Sequence, residues 1–208
     1  FESISKIPTS IYRPSEFTFF NQNLKKVLYI FISQSGETAD TCDLLESNKK
    51  FFKDSLSIVN NIDSRLVKNT KDSINLSLGI EKGVAATKTF TGQIAILHLM
   101  SFCFTEGSKV TIPKLDSDYK TFFNVEEEVK RIAEKFYKAK NFFILGRNFT
   151  YPVALEAALK IKEISYIHSE GSLSSEMKHG PIALLDNNFP VLYLLSNDKS
   201  TVLKEIMN

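Results

Sequence analysis

The feature that most constrains the fold is an apolar run that ends abruptly in a polar loop. Residues 27–32 are apolar or aromatic throughout and show no polar alternation. Such a run is typical of a strand buried on both faces of a parallel sheet. Residues 33–38 then supply small polar side chains and one glycine, and a helical pattern follows to about residue 52. This order of strand, loop and helix indicates an α/β protein.

The same alternation continues along the chain. Further stretches of strand character lie at 55–59, 73–78, 141–145 and 189–195, and we expect the last of these strands to be buried. Further stretches of helical character lie at 87–104, 125–139 and 151–167. We therefore predict α/β architecture with parallel sheets flanked by helices. The polar stretch 106–118, which contains Gly107 and Pro113, indicates a domain boundary, so we expect two domains at 1–112 and 113–208.

Composition narrows the function. The net charge is only +2 over 208 residues and the lysines form scattered pairs, so a nucleic-acid partner is not expected. Cys42 and Cys103 show no metal-ligand spacing, and we expect neither a metal nor another cofactor. No apolar run reaches the ~20 residues that span a bilayer, and the start shows no signal-peptide pattern. We expect a cytoplasmic protein that does not contact a membrane.

The loop after the first strand is a candidate phosphate site. Ser33, Gln34, Ser35 and Thr38 supply three hydroxyls and one carboxamide, and Gly36 allows close backbone approach. Backbone N–H groups at the following helix N-terminus favour an anion. The alternative is that Ser35 or Thr38 only caps the helix, and the acid at position 37 argues against an anion.

The helix predicted at 151–167 carries a candidate acid–base group. Glu156, Lys160 and Glu163 are spaced i, i+4 and i+7, which places them on one helix face. A solvent-facing ladder of ion pairs explains this spacing equally well. Because its other residues are apolar, we expect the helix to be mostly buried. Burying a charged side chain is unfavourable unless the charge is paired or has a function. A carboxylate beside a lysine can act as a general base with an electrostatic partner.

One histidine occupies a constrained position. His179 directly precedes Gly180 and Pro181, which fix a turn, so it is the natural candidate for proton transfer near neutral pH. His168, by contrast, is predicted to cap the end of the acid-bearing helix.

These motifs together resemble a known family. The matching segments, in chain order, are residues 33–41, 81–91, 145–147 with 151–152, 154–168, and 176–181. The sequence is similar to the isomerase region of glutamine–fructose-6-phosphate aminotransferase (glucosamine-6-phosphate synthase), which consists of two sugar isomerase (SIS) domains. The resemblance implies two SIS-type domains, each a three-layer αβα sandwich around a parallel sheet and both incomplete in this chain.

The resemblance also implies a reaction. Fructose 6-phosphate would bind, ammonia from glutamine would replace the ketone oxygen, and the fructosimine would isomerise to glucosamine 6-phosphate. The phosphate would contact the serine loop, and Val84 and Ala86 would line the sugar pocket. Glu163 would move the proton between C1 and C2 with Lys160 beside it. His179 would assist ring opening and would reach the site from the neighbouring subunit, which makes a homodimer the catalytic unit.

The resemblance has gaps. We expect the parent chain to add a glutaminase domain, a first strand with its loop before Phe1, and a Schiff-base lysine near its C-terminus, so this fragment is expected to be inactive alone. Ala86 stands where many members carry Ser, and Ser175 where Gly is common. Two alternatives stay open. One is another SIS-domain isomerase or deglycase, and the other is a sugar-phosphate sensor without enzymatic activity.

Overall fold

The computed structural model describes residues 1–17, 26–105 and 125–195. The chain divides into two compact units, Phe1–Ile112 and Pro113–Asn208. Each unit holds a three-stranded sheet in which every pairing is parallel, and helices connect the strands. The predicted α/β class with two parallel sheets is therefore confirmed. The predicted domain boundary lies among residues 106–124, outside the described residues, and stays a prediction.

The first unit alternates strands and helices. Its strands are β1 (Tyr29–Ile32), β2 (Ser55–Val59) and β3 (Asp72–Asn75), in the order β1–β2–β3. Its helices are α1 (Glu2–Ser5), α2 (Pro14–Phe17), α3 (Ala39–Ser47), α4 (Arg65–Asn69) and α5 (Lys88–Cys103). Because all three strands run the same way, the loops that follow them lie at one edge of the sheet.

The core of this unit is built on aromatic rings and on helix α3. Phe31 of β1 packs edge-on against Phe52, with the ring centroids 5.2 Å apart. Leu45 and Cys42 of α3 are fully buried in the same cluster. Apolar burial of this kind contributes roughly 1.5–3 kcal/mol for each large side chain, and it fixes α3 directly behind the loop that ends β1.

The second unit repeats the alternation. Its strands are β4 (Asn141–Gly146), β5 (His168–Leu173) and β6 (Val191–Tyr193), in the order β5–β4–β6. Its helices are α6 (Glu126–Phe136) and α7 (Thr150–Ser165), followed by two 3₁₀ helices at Ser174–His179 and Pro181–Leu184. The central strand β4 is the most deeply buried, with Phe143 and Ile144 almost inaccessible to solvent.

Helix α7 lies close to its sheet on one face only. Ala154 and Ala158 are buried at that face. A Cβ on Gly171 of β5 would lie 2.7 Å from the Cα of Leu155, so only glycine allows this approach. The expectation of a mostly buried helix is wrong, because small residues form the packed face and Leu159 is 42% exposed.

Three further expectations need correction. Strand β1 lies at one end of its sheet and Ile32 is 41% exposed, so this strand is not buried on both faces within the described residues. Strand β6 ends the other sheet, and its Val191 is also 41% exposed. His168 begins β5, because helix α7 already ends at Ser165 and the next residue, Tyr166, adopts a left-handed conformation (φ 59°). Strand β5 itself was not predicted.

Candidate functional site

The candidate phosphate loop, residues 33–38, is tightly wound between β1 and α3. The N–H of Gly36 donates to Ser33 Oγ at 3.0 Å, and Gly36 adopts φ +69°, which suits glycine. The Gly36 carbonyl accepts the N–H of Leu66 at 3.1 Å. Ser33 and Gly36 are buried, whereas Gln34 and Ser35 are half-buried. The loop is therefore a preformed part of the fold.

Its hydroxyls bond within the loop and leave the helix end uncapped. Ser33 Oγ and Thr38 Oγ1 lie 2.8 Å apart, and Ser35 Oγ accepts the N–H of Glu37 at 3.1 Å. Thr38 stands at the N-cap position of α3, yet its side chain makes no capping hydrogen bond. Because the first N–H groups of a helix have no partner within it, they remain available to an anion. This geometry disfavours the simple capping alternative for Thr38.

The acid in the loop has a structural partner elsewhere. Glu37 Oε1 accepts the backbone N–H of Arg65, the first residue of α4, at 2.8 Å. A carboxylate at a helix N-terminus is stabilised by the helix dipole. Glu37 therefore has a role that does not conflict with an anion bound at the start of α3.

The two predicted sugar-contacting residues lie in the loop between β3 and α5. Val84 is 90% exposed, and Ala86 is half-buried just before Thr87, the N-cap position of α5. Neither side chain is needed for the core of the first unit. Their exposure leaves them able to contact a ligand.

The predicted acid–base group is assembled on α7. Lys160 Nζ lies 2.7 Å from Glu163 Oε2 and 3.3 Å from Glu156 Oε1, so the ammonium group bridges both carboxylates. Lys160 is only 18% exposed, so the group is not the fully solvated ladder considered above. Burial opposes the charge of Lys160, but hydrogen bonds to Glu163 and Glu156 outweigh it, and its pKa lies above the ordinary value. At neutral pH, Lys160 is therefore a cation beside a carboxylate.

His179 is exposed at the end of the 3₁₀ helix Ser174–His179. Gly180 follows with φ 147°, and Pro181 begins the next 3₁₀ helix, so the predicted turn is present. Among the described residues, no hydrogen bond or ion pair joins His179 to the Lys160 group. Exposure leaves this imidazole accessible from outside its own unit.

The described residues show neither a metal-ligand cluster nor a membrane-spanning helix. Within the described parts of the chain, no three His, Cys, Asp or Glu side chains are grouped as a metal site would require. None of the helices described there combines the length and the apolar character needed to cross a membrane.

Comparison with known proteins identifies the family. The SIS domain model matches residues 1–101 and 135–206, one segment in each compact unit. The chain belongs to the SIS domain family. The predicted resemblance and the SIS-type fold are thereby confirmed.

Two similar proteins from different organisms carry the same name. Glutamine–fructose-6-phosphate aminotransferase (isomerizing) of Aquifex aeolicus is 43% identical over 202 residues, which are 95% of this chain and 34% of that protein. Its counterpart from Wigglesworthia glossinidia brevipalpis is 41% identical over 96% of this chain and 34% of its own length. The chain thus spans about a third of these relatives.

A solved structure has a similar fold. The C-terminal domain of glucosamine-fructose-6-phosphate aminotransferase from Francisella tularensis superposes with a TM-score of 0.82 at 33% identity. The match covers 99% of this chain and 62% of that one. Glucosamine-6-phosphate deaminase from Thermotoga maritima shares the fold at 22% identity with a TM-score of 0.76.

Proposed function

We propose that this chain is the isomerase part of a glutamine–fructose-6-phosphate aminotransferase. The reaction would convert fructose 6-phosphate and glutamine-derived ammonia into glucosamine 6-phosphate. The observation that carries the proposal is the Lys160–Glu163 pair, because a sugar-phosphate sensor needs a phosphate loop but no acid–base pair. The identity of 43% to an aminotransferase along 95% of the chain supports the same reading.

The chemistry assigns a role to each part of the site. The uncapped start of α3 and the side chains of Ser33, Gln34, Ser35 and Thr38 would hold the phosphate. Val84 and Ala86 would contact the sugar. These contacts would hold the sugar phosphate in one orientation, and holding a reactant in position lowers the barrier by itself.

The acid–base pair would then carry out the isomerisation. Ammonia would form an imine at C2, and the ketone oxygen would leave as water. The carboxylate of Glu163 would then remove a proton from C1 and deliver it to C2, while the proton of the C1 hydroxyl moves to the imine nitrogen, which gives the 2-amino aldose. The Lys160 ammonium, 2.7 Å from Glu163, stabilises negative charge that develops during the transfer. His179 would assist opening of the sugar ring. Its exposure supports delivery from a second subunit, and hence a homodimer.

The proposal extends to the rest of the protein and its location. A longer protein with a glutaminase domain would supply the ammonia, since the chain matches only about a third of its relatives. For the same reason, we expect that the 208-residue chain alone would not convert fructose 6-phosphate. The free thiols of Cys42 and Cys103 support the reducing cytoplasm as its compartment.

The test is product formation by the protein as its gene encodes it. Fructose 6-phosphate is supplied with glutamine or, in parallel, with ammonium. We expect glucosamine 6-phosphate from glutamine, and we expect Glu163→Gln to lower kcat by roughly 10²–10⁴-fold, as loss of a general base does. Glu170→Gln is the matched control, because Glu170 is an exposed carboxylate in the same unit.

Two results would contradict the proposal. Bound substrate without product from either nitrogen source would indicate a deglycase, another isomerase or a sensor. Full turnover by Glu163→Gln would remove Glu163 from the chemistry even if the product forms.

A further inference from the structure

The loop that carries Val84 and Ala86 is held in place with little help from packing. Every residue from 79 to 87 is exposed or half-buried. Gly79 adopts φ +68° in open space, with no heavy atom within 4 Å of where a Cβ would lie. Apolar burial therefore does not fix the shape of this loop, and polar contacts at its two ends must do so.

Asn60 holds the start of the loop. It directly follows β2, and its Nδ2 donates to the Gly79 carbonyl at 2.7 Å while its Oδ1 accepts the N–H of Leu78 at 2.9 Å. Its backbone N–H donates to the carbonyl of Gln34 at 3.0 Å. One residue thus ties the loop to the candidate phosphate loop, through its side chain on one side and its backbone on the other.

Glu81 holds the end of the loop. Its Oε2 accepts both the hydroxyl of Thr89 at 2.6 Å and the backbone N–H of Thr89 at 3.1 Å. Thr89 is buried in the first turn of α5, so the Glu81 carboxylate is bound to a residue that packing holds in place. The hydrogen bond from the Thr89 hydroxyl holds the pKa of Glu81 below its ordinary value. Lys88 Nζ adds a bond to the Ile80 carbonyl at 2.6 Å.

We propose that Asn60 and Glu81 are positioning residues that hold the loop 79–87 in the shape that receives the sugar of a hexose phosphate. This inference rests on the proposed function, in which Val84 and Ala86 contact the sugar. Neither Asn60 nor Glu81 is assigned contact with the ligand. Asn60 acts on the backbone at the start of the loop, and Glu81, which belongs to the loop, fastens it to Thr89 in the first turn of α5. Their removal therefore affects recognition of the sugar, and recognition of the phosphate is preserved.

The experiment compares two probes, glucosamine 6-phosphate and inorganic phosphate, by calorimetric titration of the protein as its gene encodes it. Asn60→Ala and Glu81→Ala are each expected to weaken glucosamine 6-phosphate binding by about tenfold, the effect of losing hydrogen bonds worth about 1.4 kcal/mol. Inorganic phosphate affinity is expected to stay within about twofold, because the backbone N–H of residue 60 still bonds Gln34 in Asn60→Ala.

Two further variants distinguish a loss of loop positioning from the loss of a negative charge and from a general disruption of the loop. Glu81→Gln keeps an oxygen that accepts both bonds from Thr89, so it should restore most of the sugar affinity that Glu81→Ala loses. Lys82→Ala changes an exposed neighbour in the same loop and should leave both affinities unchanged.

The outcomes are distinct. Unchanged glucosamine 6-phosphate binding by Asn60→Ala and Glu81→Ala would overturn the positioning role and leave the proposed function standing. An equal loss of affinity for both probes would also overturn the positioning role, because that result would indicate a general disruption of the first unit. Glu81→Gln as weak as Glu81→Ala would do the same. Failure of the unmodified protein to bind glucosamine 6-phosphate would instead overturn the proposed function.

Discussion

The substitution Gly36→Ala tests how the candidate phosphate loop is built. Gly36 adopts φ +69°, where a residue with a Cβ costs roughly 1–2 kcal/mol. That Cβ would overlap Ser64 Oγ and would lie 2.5 Å from Ser64 Cβ and 3.2 Å from Val59 Cγ1. Ser64 is fully buried and cannot swing into solvent, so we add an overpacking cost of about 1–3 kcal/mol.

Gly79→Ala provides the matched control. Gly79 has nearly the same φ, +68°, but nothing lies within 4 Å of its added Cβ. Both variants have the same backbone strain and the same loss of chain entropy in the unfolded state. These two effects therefore cancel when the free energies of unfolding are compared. Gly36→Ala should therefore be less stable than Gly79→Ala by about 1–3 kcal/mol, the steric part alone.

The measurement is equilibrium urea unfolding of both variants, followed by far-ultraviolet circular dichroism. A companion pair, Ser64→Gly with and without Gly36→Ala, removes the atoms that clash. Adding Gly36→Ala to Ser64→Gly should then cost clearly less than adding it to the unmodified protein, because only the contact with Val59 Cγ1 remains. Equal stabilities of Gly36→Ala and Gly79→Ala would refute the reasoning, since Ser64 would then not confine the loop.

Two more predictions concern the second unit. Gly171→Ala places a Cβ 2.7 Å from Leu155 Cα and 2.8 Å from the Ala154 carbonyl oxygen, and both are backbone atoms of α7. Urea unfolding should therefore show that the free energy of unfolding falls by at least about 1–3 kcal/mol. An unchanged free energy of unfolding would contradict the close packing of α7 on β5. Lys160 has a folded pKa above its ordinary 10.5, so its stabilising contribution is fully present below that pH and is lost as pH rises through the folded pKa. Thermal unfolding across this alkaline range should show a decline that is smaller in Lys160→Met, and identical declines would argue against the ion pairs.

The sequence alone predicts the parts of the fold that have a strong local pattern. The sequence predicts strand β2 (Ser55–Val59) with the correct bounds and α5 to within one residue at each end, because the apolar composition and the length of each stretch are decisive there. Strand β5 was missed because His168–Leu173 contains polar residues and a glycine in place of an apolar run. It forms a strand through pairing with β4, which is a tertiary effect.

The candidate site likewise has parts that the sequence predicts and parts that only the structure shows. The serine loop could be recognised because strand, glycine and hydroxyls are adjacent in sequence. Asn60 could not, because its partners Gly79 and Leu78 lie 19 and 18 residues away along the chain. The single available signal was an asparagine directly after a buried strand. The burial of the Lys160 group also required the structure, since the spacing fits a solvated ladder equally well.

The parallel sheet of the first unit explains why Asn60 occupies its position. Strand β2 is central, so the loop that follows it lies between the loops that follow β1 and β3. A residue there can bond to both neighbours, and Asn60 does so through its N–H to Gln34 and its side chain to Gly79. Gly36 is tied in turn to Leu66 of α4. The same hydrogen bonds that close this edge of the sheet therefore set the spacing between the candidate phosphate loop and the loop 79–87. A change of side chain at the end of the central strand should alter that spacing while the strands themselves stay intact.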